Sequence, residues 1–351
     1  MSRNRHEHLQ FFQHRESGLR GVLAIHDSCL GPAVGGVRCW DYPSEDLLVQ
    51  DVLRLSESAS LSAALFGCDA GGGKAILWAD PAAKNEVMLR AFGIFLQSLG
   101  GRFIASPELG TTSQDMDIIG KETQFVTGLL KGQNLEGDGS AITARGVLLG
   151  MKAAAKSVFG GSSLEGRKVA IQGLGKVGSA LLELLAQEGA KLFVSDLYFE
   201  KVKNAKDRHP AIEMVPPSEI TGLPVDILAP CALGGVLTPE SVGQLRCRIV
   251  AGAATNQLAT EETADALMQA GILYLPDFLL NAGDLVMVNA DIYGIPAKTC
   301  QPTVERVYGL VEALLARARA SGEAPHRIAK AWALDRITHI RTLKKLYKPA
   351  R

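Results

Sequence analysis

No charge of either sign is in excess in this 351-residue sequence, where 37 basic side chains meet 37 acidic ones. The balance argues against a protein that gathers phosphates or anionic lipid through net charge, so neither nucleic acid nor a membrane surface is an expected partner. Long apolar runs are missing too. Nothing approaches the roughly 18 residues that a spanning helix needs. The N-terminal MSRNRHEHLQFFQHRESG lacks the apolar core of a secretion signal, so a soluble, cytoplasmic protein is expected. The six cysteines, at 29, 39, 68, 231, 247 and 300, form neither CxxC pairs nor a compact framework. They read as reduced thiols, and no metal site is indicated. Internal repeats and low-complexity segments are absent as well.

What remains is a chain that is 47% hydrophobic and 21% charged, long enough for two cores. The first third mixes strand-like apolar runs at 19–25, 74–78 and 102–105 with helical patterns. Ser44, followed by Glu45 and Asp46, has the form of a cap, after which Leu47, Leu48, Asp51, Val52 and Leu55 recur at helical spacing. The most linker-like stretch is KGQNLEGDGS at 131–140, which sets a boundary between domains 1–133 and 134–321, with 322–351 returning to the first. Beyond it, apolar runs at 168–172, 191–195, 225–228, 248–252 and 272–275 alternate with helix-length segments, the pattern of a parallel sheet with covering helices. Amphipathic helices at 303–321 and 326–346 close the chain.

Two glycine motifs carry chemistry. In GCDAGGGK, at 67–74, one lysine follows three glycines and precedes an apolar run. Glycines permit positive φ and close approach, so Lys74 is either an amine aimed into a cleft or a surface lysine after a flexible turn. The second motif is Gly173-Leu174-Gly175-Lys176-Val177-Gly178, which follows the strand VAIQ and opens the helix SALLELLAQEG. A second strand, KLFVS, ends at Asp196, as a dinucleotide fold requires. Such glycines let the backbone approach a pyrophosphate at a helix N-terminus, and Asp196 is placed to accept hydrogen bonds from ribose hydroxyls. An acid there repels a 2′-phosphate, which favours NAD over NADP. The other reading is a plain glycine turn with a strand-ending aspartate.

Further stretches point the same way: ESGLRGVLAIHDSCLGPAVGGVRCW (16–40), GCDAGGGKAI (67–76), GTTSQDMDII (110–119), LAPCALGGVL (228–237), AGAATNQL (251–258) and PDFLLNAG (276–283). With these, in this order, the chain resembles the glutamate/leucine/phenylalanine/valine dehydrogenase family over almost its whole length, particularly the leucine and phenylalanine branch. The resemblance implies an α/β protein of two domains, an N-terminal substrate and oligomerisation domain and a Rossmann NAD-binding domain, with a cleft between them. It implies reversible NAD-dependent oxidative deamination of amino acids and a homo-oligomer. The N-terminus is several residues shorter than is usual in leucine enzymes, which puts an edge strand used in assembly in question.

In the family a GGGK lysine activates water and stabilises the carbinolamine oxygen, an aspartate in A-E-D-V-G shuttles protons, and a lysine in G-M-T-Y-K pairs with the substrate carboxylate. Lys74 matches the first. At the second, this chain has Ser106-Pro107-Glu108-Leu109-Gly110, making Glu108 the acid/base. At the third it has Ser58-Ala59-Ser60-Leu61-Ser62, so Ser62 stands where the lysine would be. A hydroxyl gives one directional hydrogen bond and no charge, and the charge-assisted contact it replaces is worth about 1.5 to 3 kcal/mol. Either the substrate has no free α-carboxylate or the scaffold retains little of the activity, as a sensor or partner subunit would.

Gly36 is a further substrate position implied by the resemblance, and Val34, Ser106, Leu285 and Val288 fall where leucine-type enzymes line the side-chain pocket. Asp284 replaces the second glycine of N-A-G-G and either meets an amine or caps the following helix. The implied cofactor contacts are Thr143, Cys231, Ala232, Ala253, Asn256 and Asn281. Cys68 is expected as a packed thiol, His26 as scaffold, and Arg336, Arg341, Lys344, Lys345 and Lys348 as a solvated basic face.

Overall fold

A computed structural model describes residues 5–130 and 139–343. The chain divides into two compact units, one of residues 1–136, 285–299 and 333–351, the other of 137–284 and 300–332. This differs from the division expected above at 285–299, which join the first unit, and at the C-terminal return, which begins at 333. Helices run unbroken through 283–292 and 325–343, so no turn residue marks either crossing. The expected boundary itself falls in 131–138, outside the described residues.

The first unit holds β1 (His8–His14), β2 (Leu19–Asp27), β3 (Ala33–Cys39), α1 (Glu45–Phe66), β4 (Gly71–Leu77), α2 (Glu86–Ser98), β5 (Phe103–Pro107) and α3 (Ser113–Ile119). The sheet order is β1-β2-β4-β3-β5, with β1–β2 and β2–β4 antiparallel and β3 parallel to both β4 and β5. An edge strand is therefore present. Period-2 alternation splits the sheet into two faces. Ala33, Val37, Cys39, Ala75, Leu77, Phe103 and Ala105 pack against Met88, Leu89, Phe92 and Leu96 of α2 and Met116 and Ile119 of α3. Val22, Ala24 and Ile76 on the other face pack against Leu48 and Val52 of α1. Ser44 caps α1 as expected, accepting a hydrogen bond from the Leu47 N–H.

The three glycines before Lys74 do not form a turn. They are paired residues of β4, and none has positive φ. A Cβ on Gly71 would lie 2.3 Å from Asp27 O, on Gly72 2.2 Å from Ser60 N, and on Gly73 2.7 Å from the Phe103 ring. Close packing, with α1 pressed onto one face, requires them.

The second unit continues with α4 (Gly139–Phe159), β6 (Lys168–Gln172), α5 (Lys176–Gln187), β7 (Lys191–Ser195), α6 (Phe199–Arg208), β8 (Glu213–Met214), β9 (Ile227–Pro230), α7 (Pro239–Val242), β10 (Ile249–Val250), α8 (Glu262–Gln269), β11 (Leu273–Tyr274) and α9 (Asp277–Leu280). Next come α10 (Gly283–Ile292), α11 (Cys300–Ser321) and α12 (Pro325–Leu343). Its six strands are parallel in the order β11-β10-β9-β6-β7-β8, a doubly wound sheet of Rossmann type. Val225, Leu228, Val250, Leu267 and Tyr274 are among its core residues.

The basic face expected near the C-terminus is corrected at Arg336, while Arg341 is exposed as expected. Arg336 donates to Ala63 O (3.3 Å), Ala64 O (3.5 Å) and Cys68 O (3.1 Å), closing the C-terminal end of α1, whose last turn has no basic residue of its own. Guanidinium donors at free helix carbonyls complement the negative helix end. Arg341 pairs with the Asp27 carboxylate. Lys344, Lys345 and Lys348 lie outside the described residues. No helix among the described residues is long and apolar enough to cross a membrane.

Candidate active site

The α1-facing side of the first sheet carries the reactive groups. Two residues beyond the Val34–Gly72 pair, Gly36 lies level with Lys74, and Gly36 is itself paired with Ser106 on β5. Lys74 is buried, with its Nζ 3.2 Å from Glu108 Oε1. A Cβ on Gly36 would lie 2.5 Å from Glu108 Cβ and 3.1 Å from Lys74 Nζ, so the missing side chain makes the room in which amine and carboxylate meet. Pro107 ends β5 on the edge of the sheet, where its lack of an N–H breaks no ladder. The loop after it is pinned to β3: Glu108 N–H donates to Thr111 Oγ1 (2.9 Å), which donates to Val37 O (2.7 Å), and Cys39 N–H donates to Leu109 O (2.9 Å).

Three residues that the motifs did not single out complete the cluster. Arg38 donates through Nε to Glu108 Oε2 (3.0 Å) and through Nη2 to Oε1 (2.8 Å). Its Nη1 donates to Asp51 Oδ2 (2.6 Å), and Tyr42 also donates to that carboxylate. The available signal was period 2 in AVGGVRC, which puts positions 34, 36 and 38 on one face.

Burial pushes the Lys74 amine below its ordinary value, against the pull of Glu108 and with help from Arg38. Burial alone would raise Glu108, but Lys74 and Arg38 outweigh it and hold the carboxyl down at about 2. A depressed carboxylate stabilises the fold above its unfolded value, and that stability is lost as pH falls through the folded value. Glu108→Gln is therefore expected to cost about 2 to 3 kcal/mol at pH 7, allowing for the solvent that reaches part of the side chain. Urea unfolding should show the gap to the wild type closing as pH falls from 4.5 to about 2. A gap independent of pH contradicts the pairing.

Of the other substrate positions, Val34, Ser62, Ser106 and Val288 are buried and Leu285 is half-buried, with Leu285 and Val288 one helical turn apart on α10. Asp284 stands in the first turn of α10, and its N–H donates to Thr143 Oγ1 (3.0 Å). That position favours the capping reading.

In the second unit, the glycine motif fits a dinucleotide. Gly173 has φ +102, where a Cβ would lie 2.8 Å from Ala232 N, and a Cβ on Gly178 would lie 2.0 Å from Gly173 O. Gly175 precedes α5 with nothing within 4 Å of its Cβ position and no side-chain cap, which leaves open space before the first turn of the helix. Pyrophosphate oxygens suit that arrangement. Asp196 accepts from Leu174 N–H (2.7 Å) and Tyr198 N–H (2.9 Å), which ties the end of β7 to the glycine turn. Asn281 Nδ2 donates to Ala253 O (3.1 Å), and Cys231 N–H donates to Gln172 O (2.7 Å). Burial pushes the Cys231 thiol up to about 12, so it packs rather than reacts. Asp277, buried and also unforeseen, accepts from Asn256 N–H (2.6 Å) and Tyr274 OH (2.8 Å), holding Asn256 at φ +58.

Residues 5–125 match the family model for the Glu/Leu/Phe/Val dehydrogenase dimerisation domain, and 137–198 with 196–293 match that for Glutamate/Leucine/Phenylalanine/Valine dehydrogenase. The chain belongs to this family. It is 42% identical to the leucine dehydrogenase of Geobacillus stearothermophilus, over 98% of this chain and 93% of that one. It is 40% identical to the valine dehydrogenase of Streptomyces virginiae, over 96% and 95%. The crystal structure of L-tryptophan dehydrogenase from Nostoc punctiforme superposes with a TM-score of 0.77 at 37% identity, covering 97% of this chain and 98% of that one. As a family member the chain is an amino-acid dehydrogenase.

Proposed function

We propose that this enzyme catalyses the NAD-dependent oxidative deamination of an apolar L-amino acid, and the reverse reductive amination, with Lys74 and Glu108 as its catalytic residues. The observation that carries the reading is the buried Lys74 amine 3.2 Å from a carboxylate, in space left by Gly36. When bound, NAD supplies the hydride acceptor. Lys74, its amine lowered by burial, takes a proton from the water that attacks the imino carbon and then stabilises the new oxygen. Glu108 holds and exchanges the proton at that amine. The glycine motif and Asp196 support a dinucleotide without a 2′-phosphate, with Thr143, Cys231, Ala232, Ala253, Asn256 and Asn281 as further contacts. Val34, Ser106, Leu285 and Val288 support an apolar side-chain pocket, and the family's dimerisation domain supports a homo-oligomer.

Ser62, buried on α1, supports weak use of a free α-carboxylate. NADH formation at alkaline pH, with L-leucine, L-valine, L-phenylalanine and L-tryptophan beside their amines and methyl esters, tests this reading. Turnover of free amino acids alone would overturn the role given to Ser62, and silence across the panel with NAD bound would overturn the proposed activity. Ser62→Lys is expected to lower KM for free amino acids about tenfold, the size of one charge-assisted contact. An unchanged KM contradicts its placement at the carboxylate.

A further inference from the structure

We propose that Arg38 is a positioning residue of this site, gripping both oxygens of Glu108 so that Oε1 stays against the Lys74 amine while Asp51 and Tyr42 brace the guanidinium from behind. The inference rests on the catalytic reading of Lys74 and Glu108 above. Its basis is geometric. A glutamate has three side-chain torsions, and the end of so long a side chain does not stay in one place unless both oxygens are held. Arg38 holds them through Nε and Nη2 at 3.0 and 2.8 Å, a two-pronged contact that fixes the plane of the carboxylate as well as its distance. The third nitrogen is committed in the opposite direction, to Asp51 Oδ2 at 2.6 Å and Tyr42 OH at 3.4 Å. Asp51 comes from α1 and Tyr42 from the segment after β3, so three parts of the first unit converge on one guanidinium.

Two consequences follow. All three nitrogens of Arg38 already have partners, so it is not the cation that meets a substrate carboxylate, and its loss acts on kcat more than on substrate KM. Its charge also sets the ionisation of Glu108. The charged or titratable groups around that carboxylate are Lys74 from β4 and Arg38 from β3, with Asp51 and Tyr42 behind Arg38. Without Arg38 only Lys74 opposes the effect of burial, and the carboxyl rises from about 2 towards or above its ordinary value. Arg38 also opposes the charged form of Lys74, so its loss raises the amine that takes the proton from water and moves the acid limb of the pH–rate profile upwards.

The test compares the wild type with Arg38→Met and Arg38→Lys in the full chain. Glu108 is followed by the carboxyl ¹³C shift of glutamate-labelled protein, assigned by difference from Glu108→Gln. The expected result for Arg38→Met is a Glu108 midpoint at least 1.5 pH units above the wild type. With a substrate that turns over, kcat should fall about 10²-fold and KM change less than threefold, with the acid limb moved the same way. Arg38→Lys, which keeps the charge but not the fork, should restore most of the midpoint and little of kcat. A Glu108 midpoint unchanged in Arg38→Met overturns the proposal, as does a fall in kcat with no shift of the acid limb, which marks a merely structural loss. If Arg38→Met does not fold, Arg38→Lys decides alone: a kcat well below the wild type at a nearly unchanged Glu108 midpoint is expected, and a wild-type kcat overturns the proposal. Should the wild type turn over no amino acid, the catalytic reading fails, and the ¹³C titration still decides whether Arg38 governs Glu108.

Discussion

Lys74→Ala is expected to lower kcat for oxidative deamination by about 10³-fold or more while leaving the Kd of NAD within about twofold of the wild type. The separation is expected because Lys74 lies on β4 of the first unit, while every residue assigned to the dinucleotide lies in the second. The substitution removes an amine that burial pushes below its ordinary value, together with the partner of Glu108 Oε1. The Ala variant leaves the stem of the site empty but disturbs no ladder hydrogen bond, since β4 pairs through its backbone. Stopped-flow measurement of NADH formation, beside NADH fluorescence titration of the same preparation, checks both halves. Unchanged turnover would remove Lys74 from the chemistry, and lost cofactor affinity would show a damaged fold.

Gly36→Ala is expected to be almost as costly, although it adds a single methyl group and removes no functional one. The new Cβ would come within 2.5 Å of Glu108 Cβ, 2.7 Å of Glu108 Cγ and 3.1 Å of Lys74 Nζ. Glu108 cannot retreat without breaking its contacts with Arg38, and Lys74 is packed under α1. A displacement of this size in a preorganised site costs about 10²-fold in rate, and overpacking costs about 1 to 3 kcal/mol in stability. Activity and urea unfolding measured on the same variant separate the two effects. Activity within threefold of the wild type would mean that the space beside Gly36 is not where amine and carboxylate are held.

The second unit was the more legible of the two because its signals are local. A glycine motif between a strand and a helix states both elements, and the runs at 168–172 and 191–195 coincide with β6 and β7. Later strands were found near the right places but reduced to two to four residues, since a short buried strand has too few side chains to mark its ends. β1 and β3 escaped notice for other reasons. β1 is a largely exposed edge strand whose central Phe11-Phe12 pair is flanked on both sides by polar residues, and β3 carries two glycines where a strand pattern expects bulky side chains.

Within the site, Lys74 and Glu108 were legible because each sits in a motif. Arg38, Tyr42 and Asp51 were not, because an ion-pair cluster is assembled by register between β3, α1 and the loop after β5 rather than by spacing along the chain. The same limit applies to Asp277 and Asn256, which are 21 residues apart and joined by one hydrogen bond. The glycines of GGGK lie in a strand where α1 and Phe103 leave no room for a Cβ, which sets aside the alternative of a surface lysine after a flexible turn.

The chemistry proposed for Lys74 and Glu108 takes place at a carbon–nitrogen bond. Its most direct test supplies the purified enzyme with NADH, ¹⁵N-ammonium and the 2-oxo acids corresponding to leucine, valine, phenylalanine and tryptophan. NADH consumption and ¹⁵N in the product are then followed together. The expected result is one ¹⁵N-labelled amino acid for each NADH oxidised, with both signals abolished in Lys74→Ala. NADH consumption without ¹⁵N incorporation, leaving a 2-hydroxy acid, would contradict the account, as would equal incorporation by the Lys74→Ala variant.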